Sequence, residues 1–231
     1  MSLRKILLAS VLMTATALPG FAQEYGTWND NSLMQGGMGS LVVNDQLNTT
    51  TNWSNMSGVV DTVGGDVVAQ GAAAGNIVDV ITMDNTRAFN NQIVGPGATI
   101  GSNVALDANN VWGSVGVSNS SLCNGASVST DPVLTSVKSY QECGAQDPFT
   151  GTQAFVTNIG GNAVFQNSAI SNSFETDSNA PNFPVFNKQI NHSSAISNMA
   201  VNAFNVGGTV GMQSSAIGNT ARVIHYNTGG H

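Results

Sequence analysis

The sequence predicts an all-β fold, a β-solenoid of about 24-residue coils, and three observations lead there. The first is a recurring frame, G-G-x4-Q-x2-A-x2-N, at Gly64–Asn76, Gly160–Asn172 and Gly207–Asn219, with a degraded copy at Trp112–Asn124. The second is the step between glutamines. Gln46, Gln70, Gln92, Gln141, Gln166, Gln189 and Gln213 follow one another at 22 to 26 residues, with Ser118 in the place of one. The third is composition: these segments are poor in Leu, Glu and Lys and rich in Gly, Asn, Ser and Thr, which are weak helix formers.

Taken in order, the chain begins with Arg4 and Lys5, an apolar run from Ile6 to Leu18, and Gly20-Phe21-Ala22. A basic head, a short apolar stretch and small residues before a cut make residues 1–22 a secretory signal peptide. The competing reading is a retained anchor, against which stands a run shorter than the roughly 18 apolar residues of a span. Residues 23–58, with Trp28, Trp53 and the polar run Asn48–Asn52, read as an N-terminal arm or a cap over the first coil.

The repeat domain is assigned to residues 59–231. Runs such as Asn76–Thr82 and Thr220–Tyr226 alternate branched and small polar residues, the pattern of half-buried strands. A coil of about 24 residues has room for two or three short strands, fewer than a propeller blade requires. The glycine frame recurs at 48, 48 and 47 residues, twice the glutamine step, so two coils are expected per longer unit. Paired glycines are expected to supply the tight or positive-φ turn. Asn76, Asn124, Asn172 and Asn219 are expected at left-handed turn positions, and stacked Gln and Asn to bond from coil to coil. Ala73, Ala169 and Ala216 form a small interior column.

The array is interrupted at 131–152, where Asp131-Pro132, Cys143-Gly144 and Asp147-Pro148 break the alternation. This segment is expected to project as a loop stapled by a Cys123–Cys143 disulfide, since a cysteine pair in an exported chain favours oxidation. Closing a loop of about 20 residues contributes about 3 kcal/mol on the chain-entropy estimate. A second loop is expected at Asn179–Pro184.

Charge and motifs restrict function. Only 8% of residues are charged. Beyond residue 22 four basic side chains (Arg87, Lys138, Lys188, Arg222) stand against 13 acidic ones, a balance of −9. No cluster of Lys and Arg offers a nucleic-acid surface. Nucleotide, zinc-protease, hydrolase and EF-hand signatures are absent from the sequence, so no catalytic residue, metal or cofactor is assigned. Glu175 and Asp177, two apart on one strand face, are expected to be an exposed polar edge, and are the pair that would serve acid–base work, calcium or sugar binding.

Gln70 with Gly75-Asn76 and Gln213 with Gly218-Asn219, at a spacing of 22 to 26 residues over about 46–226, resemble the repeats of bacterial curli subunits and of holdfast-anchoring surface proteins. The resemblance implies an exported, non-catalytic surface protein of adhesive or biofilm-matrix type, whose partner is itself, another secreted surface protein or extracellular polysaccharide. Two other functions stay open: a carbohydrate-binding or polysaccharide-acting solenoid, and a secreted soluble binding module.

Overall fold

The computed structural model of the protein describes residues 40–130, 135–180 and 183–226. The predicted signal peptide, residues 23–39 of the predicted arm, Pro132 and Pro181 lie outside them. Twelve strands and no helix make up the described residues: β1 Ser40–Asn48, β2 Asn52–Val63, β3 Val67–Thr82, β4 Thr86–Val94, β5 Thr99–Val111, β6 Val115–Thr130, β7 Thr135–Cys143, β8 Gln146–Ile159, β9 Ala163–Ser178, β10 Val185–Asn191, β11 Ile196–Val206 and β12 Val210–His225. They form three parallel sheets ordered β1-β4-β7-β10, β2-β5-β8-β11 and β3-β6-β9-β12. Every third strand stacks on the one before, so three consecutive strands make one coil and four coils make the solenoid.

The coil is therefore twice the expected length. Val63 pairs with Val111, Val111 with Ile159 and Ile159 with Val206, at 48, 48 and 47 residues. The glycine frame marks every coil. The 24-residue step arises because each coil carries two glutamine columns, one on the first sheet and one on the third.

Long third-sheet strands organise the interior. In β6 the inward side chains are Val115, Val117, Asn119, Ser121 and Cys123, and then Asn124, Ala126, Val128 and Thr130. Two successive inward residues, Cys123 and Asn124, reverse the parity and divide the strand into two faces. The first face packs against the second sheet in a core of Val104, Leu106, Val111, Val117, Val156, Ile159 and Phe165. The second packs against the first sheet through Ala88, Val128, Val137 and Phe174. Between the two lie Val94, Ala98, Ile100, Cys123 and Cys143. Ala169 is buried in the predicted small column, whereas Ala216, in the fourth coil, is exposed.

Three local expectations are corrected. Of the segment 131–152, the described residues 135–152 do not form a projecting loop: Thr135–Cys143 is β7, and β8 starts at Gln146. Pro148 is accommodated where the β5–β8 register shifts between Thr99 and Gly101, a bulge that spares the ladder a proline in regular pairing. Cys123 and Cys143 do form a disulfide, but it lies wholly buried between the second and third coils. Residues 40–58, placed with the arm or cap, form β1 and part of β2, hence the first coil itself.

The glycine pairs do not carry the positive φ. Thr62, Asn110, Asn158 and Asn205 do, with φ of 57, 52, 56 and 53°. Three of these four are Asn, a residue that tolerates the left-handed region. The glycines instead allow close approach of coils. A Cβ on Gly161 would lie 2.9 Å from the carbonyl oxygen of Gly113, and one on Gly208 2.8 Å from that of Gly161.

Candidate assembly interface

Amide ladders run along the stack. Gln46, Gln92, Gln141 and Gln189 point inward from the first sheet, and Gln92 and Gln141 are fully buried. Each donates to the glutamine of the preceding coil: Gln92 to Gln46 at 2.9 Å, Gln141 to Gln92 at 2.9 Å and Gln189 to Gln141 at 2.8 Å. Each also donates across the interior to a backbone carbonyl, those of Ile77, Gly125, Ser173 and Thr220 in turn. A carbonyl only accepts, so these bonds fix which end of every amide is NH2.

The asparagine ladder runs with opposite polarity. Asn76 donates to Asn124 at 2.9 Å, Asn124 to Asn172 at 2.8 Å and Asn172 to Asn219 at 2.8 Å. Backbone carbonyls of Ile93, Glu142 and Ile190 again fix the amides. These asparagines were expected at left-handed turns. They sit instead inside strands, where the third-sheet strand changes face, and Asn124 and Asn172 are fully buried. Satisfying a buried amide through the next coil avoids the roughly 1–3 kcal/mol lost by an unpaired polar group.

The second glutamine column behaves differently. Gln70, Ser118, Gln166 and Gln213 align on the third sheet and point outward. Sequence spacing alone makes the two columns equivalent, but only the first is part of the buried network.

A third ladder was missed from the sequence. Asn205 donates to Asn158 at 2.7 Å, Asn158 to Asn110 at 2.9 Å and Asn110 to Asp61 at 3.0 Å. Its signal was available two to three residues upstream of the glycine pair, in Thr62-Val63, Asn110-Val111, Asn158-Ile159 and Asn205-Val206. Next to it, Trp112 is 77% exposed and borders a shallow groove with Asn158, Gly160, Asn205 and Gly207.

The outer face of the first sheet gathers Arg87, Lys138 and Lys188, three of the four basic side chains beyond residue 22. Lys138 lies over the ring of Phe186 and Lys188 over that of Tyr140, at 5.8 and 5.5 Å. The Tyr140 hydroxyl donates to Glu142 at 2.5 Å. Burial first, then this hydrogen bond and the Glu142 charge, push the phenol from 10.0 up to about 12. The folded state thus holds this proton more tightly than the unfolded one. The resulting stabilisation is complete below pH 10.0 and is lost as pH rises through about 12.

Glu175 and Asp177, the pair considered for sugar or acid–base chemistry, serve contacts between coils. Glu175 receives Arg222 at 2.7 Å, and Asp177 accepts from Ser129 at 3.2 Å. His192 pairs with Glu142 at 3.0 Å, and His225 meets the carbonyl of Ala180 at 2.6 Å. Among the described residues no three His, Cys, Asp or Glu side chains converge as a metal site. No helix long and apolar enough to cross a membrane occurs among the described residues.

The two ends of the stack remain. One presents β1, β2 and β3, the other β10, β11 and β12, each sheet having a neighbour on one side only among the described strands. The apolar column continues to both ends, through Val63 and Val67 at one and Val201 and Val206 at the other, all only partly buried. Compared with family models, curated proteins and solved structures, the chain has no match.

Proposed function

We propose that this protein is a non-catalytic, exported structural or adhesive element of the cell surface that self-associates, or anchors extracellular material, through its stacked β-coils. The supporting observation is the pair of coil ends, where, among the described residues, no further strand covers the strand edges and the partly buried apolar column. Such edges template further pairing unless they are blunted. Few charges oppose that pairing in a chain with 8% charged residues. The purified chain is expected to assemble with rising concentration in sedimentation, to form fibres under the electron microscope, and to be labelled at the surface of intact cells. A sample that stays monomeric and adheres to no cell or surface would remove this reading.

A second reading, binding of extracellular polysaccharide, is favoured by the exposed Trp112 beside the Asn158–Asn205 ladder. Aromatic faces and side-chain amides are what sugars engage. Under it, Trp112→Ala abolishes retention on an immobilised glycan and leaves assembly unchanged.

A further inference from the structure

We infer that copies of this chain stack head to tail, the β10–β11–β12 end of one copy seating on the β1–β2–β3 end of the next, in the register that continues the internal coils. The inference rests on the self-association proposed above and adds its polarity and register. Three independent features of the ends carry it.

The first is the unfinished state of the ladders. Inside the stack the Asn76, Asn124 and Asn172 amides each donate to the following coil. Continuing that series places the Asn219 NH2 against the carbonyl oxygen of Asn76 in the next copy. The glutamines each donate to the preceding coil, so the series continues from the Gln46 NH2 of the next copy to the carbonyl oxygen of Gln189. Both ladders close in the same arrangement. Two first coils face to face would oppose the NH2 groups of both Gln46 side chains and the oxygens of both Asn76 side chains. Two fourth coils would likewise oppose like with like. Of these column-on-column contacts only the heterologous one is complementary, and such a contact propagates.

The second is the glycine pair of the first coil. Gly113, Gly161 and Gly208 are each pressed against the preceding coil, where a Cβ would collide with backbone. Gly65 occupies the same column, yet a Cβ on it meets nothing within 4 Å; Gly64, in the neighbouring column of Trp112, Gly160 and Gly207, is equally open. Neither has a positive φ. Among the described residues of a single copy, nothing requires glycine there. In the head-to-tail stack Gly65 meets Gly208 of the preceding copy as Gly113 meets Gly65. The third feature is the apolar column: Val206 would cover Val63 as Ile159 covers Val111 within the chain.

Cysteine trapping tests polarity and register together. Gln70 and Gln213 are exposed, outward and in one column, and the native cysteines are paired and buried. Neighbouring parallel strands lie about 4.8 Å apart, within disulfide reach. Under mild oxidation the full chain carrying both Gln70→Cys and Gln213→Cys is expected to give a ladder of covalent oligomers, and either single variant to stay uncross-linked. Gly65→Ala is expected to raise the concentration needed for assembly about tenfold or more without changing the melting temperature, because the added methyl clashes only across the junction. Gly116→Ala, also with open space around its Cβ but on the outer face, is the control expected to change neither. Cross-linking by a single variant, or normal assembly of Gly65→Ala, overturns the inference. So does assembly by the double variant without cross-links, which leaves the proposed function standing. A chain that stays monomeric, its ends covered by its own terminal segments, overturns both.

Discussion

At Asn124 one side chain holds two others and a backbone carbonyl in place. It accepts from Asn76, donates to Asn172 and donates to the carbonyl of Glu142 across the interior, all without exposure to water. Asn124→Ala removes these bonds together and strands the Asn172 oxygen and the Glu142 carbonyl. At about 1–3 kcal/mol for each buried group left unsatisfied, a loss of roughly 2–6 kcal/mol is expected. Gln166→Ala, on the outward column, is expected to change stability by less than about 0.5 kcal/mol. Urea unfolding of the two variants beside the parent chain measures the contrast; equal effects would mean the buried amide network adds no stability. In the sequence these residues look alike. Both occupy fixed places in the frame, and what separates them is which face of a strand they lie on. Side-chain parity reverses at Cys123–Asn124, so counting by two from the glycine pair gives the wrong face for everything after it.

At the scale of the element, the disulfide joins β6 of the second coil to β7 of the third and sits at the junction of the two core faces. It was legible as a bond and illegible as a place. Two prolines and a glycine made the region from 131 to 152 look like a loop, whereas the strand tolerates Pro148 at a bulge and the pairing of β7 is unbroken. Because neither sulfur is exposed, a reductant reaches the bond only when the surrounding coils open. Native protein is therefore expected to keep Cys123 and Cys143 oxidised under dithiothreitol concentrations that reduce them promptly in urea, as read by alkylation and mass. Replacing both cysteines by Ala is expected to lower stability by about 3 kcal/mol, from the chain entropy regained by a loop whose ends are 20 residues apart. Rapid reduction of the folded protein would contradict the burial of this pair.

For the whole molecule, the predicted solenoid class stands, and the period of its coil does not. Composition and the 48-residue recurrence of the glycine frame were sufficient for parallel stacking. The 24-residue coil came from two columns of one residue type placed about half a coil apart, one buried and one solvated, which sequence spacing merges into a single register. The correct period also sets how stability is distributed. In a linear array each coil depends on its neighbours, so the second and third coils, each with two, are held more firmly than the first and fourth. Burial follows the same order: β5, β6, β8 and β9 carry most fully buried side chains, and β11 and β12 none. Amide hydrogen exchange on dilute protein is expected to be slowest in β4–β9 and fastest in β1–β3 and β10–β12. If chains stack end on end, protection in assembled material rises selectively in those two outer coils, because a junction converts each into an interior coil. An association through the outer sheet faces would instead leave the edge amides of β1 and β10 exchanging as they do in the monomer. Exchange measured before and after assembly on the same chain thus separates stacking from lateral packing, and equal protection across all four coils before assembly would show that the molecule opens as one cooperative unit.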